Sequence, residues 1–312
     1  YKSMPEYRER IDSLARPFSD PKNTIPPENA NLLFGGDISL TQTRLESFAN
    51  CEFSYYCKYI LKLQEQKKAE FSQLDIGNFT HRVLENFMRV VQTSEGIRLD
   101  LSDEEAEKLA DDIINEYIDR IIGYSEKKTS RILQLFRRLR RTTLLLIKNL
   151  RNEFSQSDFI PSFFELPITY SKDEGIRPLR IPLYDGTDAY VYGKVDRVDL
   201  YKKNGKVYVR VVDYKTGEKS FSLSDIELGL NMQMLIYLFA IWQNGGDLYR
   251  NPTPAGIFYF QAKPSRATES TKGLNRHSDE TIINKSLKDK FRMSGMVLNN
   301  IDVITAMEKN AE

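Results

Sequence analysis

Two strand-like segments joined by Asn204-Gly205 constrain the fold of this chain more than any other feature of its sequence. Residues 189–201 and 207–215 are rich in Val and Tyr and alternate as strands do. Asn-Gly at the two central positions is the strongest short-range signal for a tight β-hairpin turn. The sequence therefore predicts an antiparallel pair of strands whose register is set by the turn.

The register of this hairpin brings acidic residues together. If Lys203 lies opposite Lys206, counting outward places Asp196 directly opposite Asp213. Strand alternation puts Lys215 on the same face. Val198, Leu200, Val209 and Val211 share that face, whereas Arg197, Asp199 and Arg210 point to the other one. We therefore expect two carboxylates and an ammonium group at one end of an apolar face.

Opposed carboxylates need a shared proton or a cation, because like charges directly across a ladder are destabilising. A hard divalent ion such as Mg²⁺ binds carboxylate oxygens, and a lysine beside it can stabilise charge that develops on a phosphate group. The structural alternative is a hairpin in which Asp196 and Asp213 form salt bridges with neighbouring Lys and Arg residues. A β-bulge between them would also break the inferred register.

The remaining sequence predicts an α/β fold with a mixed central sheet flanked by helices and preceded by a helical subdomain. Residues 1–37 are polar and contain prolines, which indicates a linker from a preceding domain. Residues 38–160 are expected to form the helical part and 161–312 the catalytic α/β core. Within that core, residues 263–287 are polar without periodicity, which predicts a mobile loop.

Individual elements follow from periodicity and capping signals. Helices are expected over Ser39–Leu63, Gly77–Val91, a segment opened by the capping-box pattern Ser102–Glu105, Thr129–Phe154 and Ser224–Asn244. Strands are expected over 163–170 and 255–261 in addition to the hairpin.

Composition narrows the class of protein. The 312 residues contain 45 Lys+Arg and 44 Asp+Glu, so any nucleic-acid surface must be a local patch. No apolar run is long enough to span a bilayer, the first residues are not a signal peptide, and a cytoplasmic protein without a membrane partner is expected. A Gly-rich phosphate loop followed by Lys-Ser/Thr is absent, which predicts no ATPase activity in this fragment. The chain begins at Tyr1, and we expect it to be a piece of a longer protein.

Several segments in a fixed order carry a family resemblance. Gly193–Asp199 (GKVDRVD) and Val212–Gly217 (VDYKTG) resemble the paired motifs of the RecB-type PD-(D/E)xK nucleases. Further segments resemble those of AddB-type nuclease domains, the nuclease-bearing partners in bacterial AddAB helicase-nucleases: 39–53, 75–85, 233–237, 254–260 and 293–295. The resemblance covers about Leu33 to Met307 and implies a restriction-endonuclease-like core.

The resemblance implies a metal site in this core. His81, Asp196 and Asp213 would bind Mg²⁺ or Mn²⁺, joined by a backbone carbonyl next to Lys215, and Glu165 would be a further acidic residue lining the site. His81 taken alone would be interpreted as a core histidine, but an imidazole beside two carboxylates favours a ligand.

Gln233 and Tyr237 are also expected at the catalytic site. They lie four residues apart on one helix face, where they could position the scissile phosphate or the catalytic lysine. Without the family resemblance, an amphipathic helix with a polar edge would explain them equally well.

Cys51 resembles the first ligand of the iron–sulfur cluster of AddB-type nuclease domains. The sequence has only Cys51 and Cys57, whereas such a cluster needs four thiolates. No cluster is therefore expected in this chain. The favoured explanation is that the remaining ligands belong to the full-length protein, and the alternative is that this member dispenses with the cluster.

The basic stretch from Arg131 to Arg151 offers a surface for DNA. Arg137, Arg138 and Arg141 could hold phosphates without reading base sequence, although a solvated helix face is the alternative. The function implied is a metal-dependent DNA exonuclease that processes double-strand breaks with an AddA-type helicase-nuclease subunit. The alternatives are a stand-alone RecB-like exonuclease and a non-catalytic DNA-binding scaffold with a degenerate site.

Overall fold

The computed structural model describes residues 25–26, 28–29, 32, 38–64, 73–93, 96–97, 101–122, 130–171, 175–184, 186–217, 221–246, 250–262 and 293–309. Most of the predicted linker 1–37 and the whole predicted loop 263–287 lie outside the described residues. None of the helices in the described part is both long and apolar enough to cross a membrane.

Most of the helices precede strand β4 (Ile160–Ile168), and most of the strands of the main sheet follow α5 (Ser130–Gln156). The helices are α1 Gln42–Asn50, α2 Glu52–Tyr55, a π-helical turn Tyr56–Ile60, α3 Gln73–Val91, α4 Asp103–Ile122, α5 Ser130–Gln156, α6 Leu223–Glu227, α7 Gln233–Asn244 and α8 Ile301–Met307. The strands are β1 Ile38–Thr41, β2 Gln92–Thr93, β3 Gly96–Ile97, β4 Ile160–Ile168, β5 Leu179–Pro182, β6 Asp188–Lys203, β7 Lys206–Lys215, β8 Pro252–Gln261 and β9 Ser294–Val297.

The main sheet is mixed, as predicted. Its order is β1-β6-β7-β8-β9, and β4 and β5 also pair with the long strand β6. The pairs β1–β6 and β7–β8 are parallel, whereas β4–β6, β5–β6, β6–β7 and β8–β9 are antiparallel. Strand β6 therefore organises the sheet, since its first half lies between β1 and β5 and its second half between β4 and β7.

The predicted hairpin register is confirmed. Pairing runs without a break from Lys203 opposite Lys206 to Arg197 opposite Val212, and Asp196 and Asp213 occupy the next position along the two strands. The turn residues Asn204 and Gly205 have φ of 51° and 73°, the left-handed conformation that a tight hairpin turn requires.

The two faces of the hairpin contribute to different cores, as the alternation predicted. Val198, Val209 and Val211 are buried with residues of α7 in one core. Val212 and Tyr214 are buried in the other core, which contains α3, α4 and α5. The sheet is thus a middle layer with helices on both faces.

A buried ion network lies on the α5 face of the hairpin. Asp199 accepts hydrogen bonds of 2.8 Å from both Arg197 and Arg210, and Glu153 of α5 accepts bonds of 2.7 Å from the same two guanidinium groups. Arg197, Arg210 and Asp199 are at most 1% exposed. The guanidinium of Arg197 also lies over the ring of Phe154, 5.0 Å from its centroid. Because each charge has an opposite partner, the network fixes α5 against the sheet.

Two predicted helices differ from the structure. The interval Ser39–Leu63 begins as strand β1, since residues up to Thr41 pair with β6, and Cys51 in an extended conformation separates α1 from α2. The interval Ser224–Asn244 is divided because Gly229 and Asn231 adopt left-handed backbone angles, which a helix cannot accommodate. The capping box is confirmed by reciprocal hydrogen bonds between Ser102 and Glu105.

Candidate active site

The predicted site residues come from five different elements that meet at one end of the hairpin. The structure places His81 on α3, Glu165 on β4, Asp196 on β6, Asp213 and Lys215 on β7, and Gln233 and Tyr237 on α7. The site therefore needs the whole fold, because α3 and α7 approach it from opposite faces of the sheet.

His81 presents one ring nitrogen to two carboxylates. Its Nε2 atom lies 2.7 Å from the carbonyl oxygen of Tyr214, which can only accept a hydrogen bond, so Nε2 carries the hydrogen. Its Nδ1 atom then faces Asp196 Oδ2 at 3.5 Å and Glu165 Oε1 at 3.9 Å. A nitrogen lone pair and two carboxylate oxygens attract a cation, which can be a proton or a metal ion.

The protonation of His81 reflects this attraction. Burial by itself would lower the pKa of His81, but the hydrogen bond and negative charge of Asp196, together with the Tyr214 carbonyl, raise that pKa to about 9. In the absence of a metal ion, the imidazole is therefore charged at neutral pH and pairs with the carboxylates.

Asp213 and Lys215 form the second half of the site. The Lys215 ammonium lies 2.6 Å from Asp213 Oδ2 and donates to Gln233 Oε1 at 3.0 Å. Burial and the charge of Asp196 raise the pKa of Asp213 to about 6, while Lys215 and His81 act in the opposite direction. The charge of Asp196 thus disfavours ionisation of Asp213, the direction that opposed carboxylates predict.

Glu165 reaches the site through an unusual backbone conformation. Its φ is 53°, which L residues seldom adopt inside a strand. Phe164 and Leu166 belong to different cores although alternation would put them on one face, so the side-chain alternation breaks at Glu165. Strained residues of this kind concentrate at functional sites, and here the Glu165 carboxylate also contacts the ammonium of Lys194.

One group among the described residues has the composition and spacing of a metal site. The ligand atoms of His81, Glu165 and Asp196 all lie within 4.8 Å of one another. Hard divalent ions bind oxygen at about 2.0 to 2.6 Å, so two ligands of one ion lie at most ~5 Å apart, and these atoms fit around a single ion. Glu165, expected only to line the site, belongs to this group. Asp213 lies beside this group and forms an ion pair with Lys215.

Gln233 and Tyr237 both lie beside the hairpin. Gln233, at the start of α7, accepts from Lys215, and Tyr237 is within hydrogen-bonding reach of Gln233 and of the Lys194 backbone. The Tyr237 ring lies so close to Gly193 that a Cβ atom there would be 2.5 Å from Tyr237 Cε1. Glycine at this position therefore permits the contact between helix and strand.

Two contributors were not predicted, the backbone N–H of Tyr214 and the side chain of Lys194, whereas a backbone carbonyl next to Lys215 was implied by the family resemblance. Tyr214 donates its backbone N–H to Asp196 Oδ2 at 2.9 Å while its carbonyl accepts from His81, so one residue orients both groups. Lys194 neutralises Glu165. The sequence contained one signal for Lys194, since it stands two residues before Asp196 on a strand.

The two cysteines lie on the helical segment after β1. Cys51 is exposed, and its sulfur accepts a hydrogen bond from the Ser54 N–H at 3.4 Å at the start of α2. Cys57 lies on the π-helical turn and is also a free thiol. The role of Cys51 in a larger iron–sulfur ligand set stays a prediction.

The predicted DNA-binding arginines lie on α5. Arg137, Arg138 and Arg141 are exposed. Arg137 and Arg141 line a groove between α4 and α5 with a volume of about 510 Å³, whereas Arg140, also in that groove, is paired with Asp111. The residues lining this groove do not include those around His81.

Comparisons with known proteins agree with this geometry. The sequence matches the profile of the PD-(D/E)XK nuclease superfamily over residues 39–303. It is 32% identical over 314 residues to a protein of Caldanaerobacter subterraneus subsp. tengcongensis, covering all of this chain and 26% of that protein. It is 30% identical over 289 residues to one of Clostridium acetobutylicum, covering 92% of this chain and 24% of that protein. Both relatives are named as a subunit of an ATP-dependent helicase/deoxyribonuclease, and the chain spans about a quarter of their length.

Proposed function

Because this chain belongs to the PD-(D/E)XK nuclease superfamily, we propose that it is the DNA-cleaving domain of the AddB-type subunit of a helicase-nuclease. The observation that carries the proposal is the close group of His81, Glu165 and Asp196 beside the Asp213–Lys215 pair. An imidazole and three carboxylates next to a lysine form a set suited to metal-assisted phosphodiester hydrolysis. A surface that only binds DNA would not need buried carboxylates.

The chain's own residues would hold a divalent ion, Mg²⁺ or Mn²⁺. His81, Glu165 and Asp196 supply ligand atoms at suitable spacing, and Asp213 supplies a further carboxylate at the same end of the hairpin. The Tyr214 carbonyl, which accepts from His81 Nε2, orients the imidazole so that Nδ1 faces the ion. When bound, such an ion lowers the pKa of water and neutralises charge on a phosphate group. Oxygen-rich donor sets of this kind favour Mg²⁺ or Mn²⁺ over softer metals.

In this proposal Lys215 acts on the phosphate. Gln233 accepts from its ammonium and Asp213 pairs with it, so the side chain is held at the edge of the carboxylate group. A lysine in this position stabilises negative charge that develops in the transition state. Tyr237, packed on Gly193, supports Gln233 from the next turn of α7.

The wider assignment rests on the names of the relatives and on the sequence. We propose that the domain trims DNA ends during double-strand-break repair together with an AddA-type subunit in the bacterial cytoplasm. We further propose that Arg137, Arg138 and Arg141 bind the DNA backbone, and that the fragment itself has no ATPase activity.

Cleavage of labelled single- and double-stranded DNA tests the proposal. We expect cleavage by this chain with Mg²⁺ or Mn²⁺ and none in EDTA. Lys215→Ala should lose about 10²-fold or more in rate, because removing one transition-state donor has effects of that size. Lys206→Ala, an exposed lysine at the hairpin turn of the same strand, is the matched control and should cleave normally. Cleavage in EDTA, or near-normal cleavage by Lys215→Ala, would refute this mechanism.

A further inference from the structure

Three tyrosines cluster beside the first half of strand β6, with Tyr190 and Tyr192 on that strand and Tyr170 just after β4. The ring of Tyr170 lies 5.4 Å from that of Tyr190 and 5.9 Å from that of Tyr192, measured between centroids. Tyr170 is 53% exposed, and the other two are partly exposed. The three tyrosines lie outside the buried cores. The core side chains of this part of β6, Val191 and Val195, point to the opposite face of the strand.

Neighbouring strands leave the tyrosine rings uncovered. Ser39 and Thr41 of β1 pair with Tyr190 and Tyr192, and both are small and exposed. On the other side, Arg180 pairs with Tyr190 and extends to Asp188, at 2.8 Å. The surface is therefore an aromatic strip with short side chains along one edge.

This strip leads to the candidate active site. Lys194 follows Tyr190 and Tyr192 on the same face, and its ammonium contacts the Glu165 carboxylate of the metal-binding group. At a rise of about 3.3 Å per residue, Tyr192 lies ~13 Å from Asp196 along the strand and Tyr190 ~20 Å. These lengths correspond to roughly four to six stacked nucleotides at ~3.4 Å each, and to fewer in an extended strand.

The chemistry of the strip favours unpaired bases. Arg180 is already paired with Asp188, and Lys194 with Glu165, so the strip has little free positive charge for phosphates. Aromatic side chains bind single strands because every base has a face on which a ring can stack. In a duplex those faces are covered by neighbouring base pairs. A single strand is therefore the better fit.

We propose that Tyr170, Tyr190 and Tyr192 form a stacking platform that holds the bases of single-stranded DNA a few nucleotides from the bond that is cut. This proposal rests on the proposed nuclease function and adds to it a binding surface for the substrate strand and the path that the strand follows to the site. The platform binds without regard to base sequence, as stacking requires no base-edge hydrogen bonds.

Binding of a fluorescein-labelled thymidine oligonucleotide tests the platform. Affinity is measured by anisotropy in the 312-residue chain with the Lys215→Ala substitution, so that the oligonucleotide is not cut. Tyr170→Ala and Tyr192→Ala should each weaken binding about five- to a hundredfold, the range for losing one stacked base. Tyr170→Phe should bind normally, because it keeps the ring. Tyr184→Ala is the control, since Tyr184 is fully exposed and outside the cluster.

An abasic oligonucleotide of the same length separates stacking from backbone contacts. It should bind the parent chain weakly and show no further loss with Tyr170→Ala. Equal affinity of Tyr170→Ala and the parent for the thymidine oligonucleotide would overturn the proposal. So would an equal loss with the abasic strand, or a loss seen only with duplex DNA.

Cleavage assays separate failure of the platform from failure of the proposed function. If the parent chain with Lys215 intact cuts single-stranded DNA with Mg²⁺ but Tyr170→Ala leaves KM unchanged, only the platform is wrong. If the parent chain cuts no DNA at all, the proposed function itself is wrong. Tyr170→Ala changes an exposed side chain, so its melting temperature should equal that of the parent, and the binding result then reports on contact with DNA.

Discussion

His81 Nδ1 lies 3.5 Å from a carboxylate oxygen of Asp196, which makes a proton and a metal ion competitors for the same position. The pKa of His81 is raised to about 9 in the metal-free fold, because Asp196 and the Tyr214 carbonyl together outweigh the effect of burial. Since only the neutral imidazole can bind a metal, binding must release this proton.

We therefore predict that Mn²⁺ affinity increases with pH up to about pH 9. One released proton gives about a tenfold increase for each pH unit below the pKa of His81. Titration calorimetry at pH values of about 6.5, 7.5 and 8.5, in buffers with different ionisation heats, measures both affinity and proton release. His81→Ala should bind more weakly and lose this dependence. An affinity that is constant over this range would remove His81 from the site.

Asp213→Asn is predicted to melt at or above the temperature of the metal-free wild type at a pH of about 8. The pKa of Asp213 is raised to about 6 by burial and by the charge of Asp196. A raised carboxyl pKa means that the folded state favours the protonated form, so its contribution to stability is full below its unfolded pKa and is lost as pH rises through about 6. Asparagine keeps the neutral form at every pH. The higher melting temperature of Asp213→Asn relative to the metal-free wild type should therefore disappear at about pH 4, near the unfolded pKa of aspartate.

Melting curves in EDTA and with added Mg²⁺ decide this prediction. An ion bound only by the folded state adds about 2.7 kcal/mol at a hundred times its dissociation constant, and the mutant should gain less than the wild type. The ion pair of 2.6 Å between the Lys215 ammonium and Asp213 Oδ2 acts in the opposite direction, because it stabilises the ionised form of Asp213. If Asp213→Asn is clearly less stable in EDTA at the higher pH, the Lys215 ion pair holds Asp213 for structural reasons.

The register of the hairpin could be predicted from the residues of one turn, and His81, Gln233 and Tyr237 from the family resemblance, whereas the close approach of Glu165 to His81 could not be predicted. Asn204-Gly205 sets the hairpin register locally, which is why the pairing from Lys203 opposite Lys206 to Arg197 opposite Val212, and the two faces of this part of the hairpin, were predicted correctly. The position of Glu165 depends on long-range pairing of β4 with β6 and on a left-handed residue inside a strand, and neither leaves a periodic pattern.

Glu165→Gln is predicted to weaken metal binding although the residue was expected only to line the site. Its Oε1 atom faces His81 Nδ1 at 3.9 Å, and the amide keeps the size of the side chain while removing the negative charge. We expect about a tenfold or greater loss of Mn²⁺ affinity, since about tenfold is the smallest loss typical of replacing a group that supports the ligands of a metal ion. Glu107→Gln, on an exposed residue paired with Arg140, is the control. Unchanged Mn²⁺ affinity in Glu165→Gln would restrict Glu165 to pairing with Lys194.

Asp199→Asn is predicted to be among the most destabilising single substitutions in the described part of the chain, although it lies on the face away from the site. Asp199 is fully buried between Arg197 and Arg210, and without its charge two buried guanidinium groups share only Glu153. Removing one partner of a buried ion pair lowers the free energy of unfolding by about 3 to 5 kcal/mol.

The charge balance of this network gives a second, independent test. Arg210→Met should cost less than Asp199→Asn, because Arg197 still pairs with both Asp199 and Glu153. The double variant, with one charge of each sign removed, should be more stable than the sum of the two single effects predicts.

Urea denaturation measures the free energies of unfolding. Asp302→Asn removes an exposed pair with Lys203 and should change stability far less than Asp199→Asn. If Asp199→Asn is as mild as Asp302→Asn, water or neighbouring groups must compensate the two arginines, and the network does not hold α5 to the sheet.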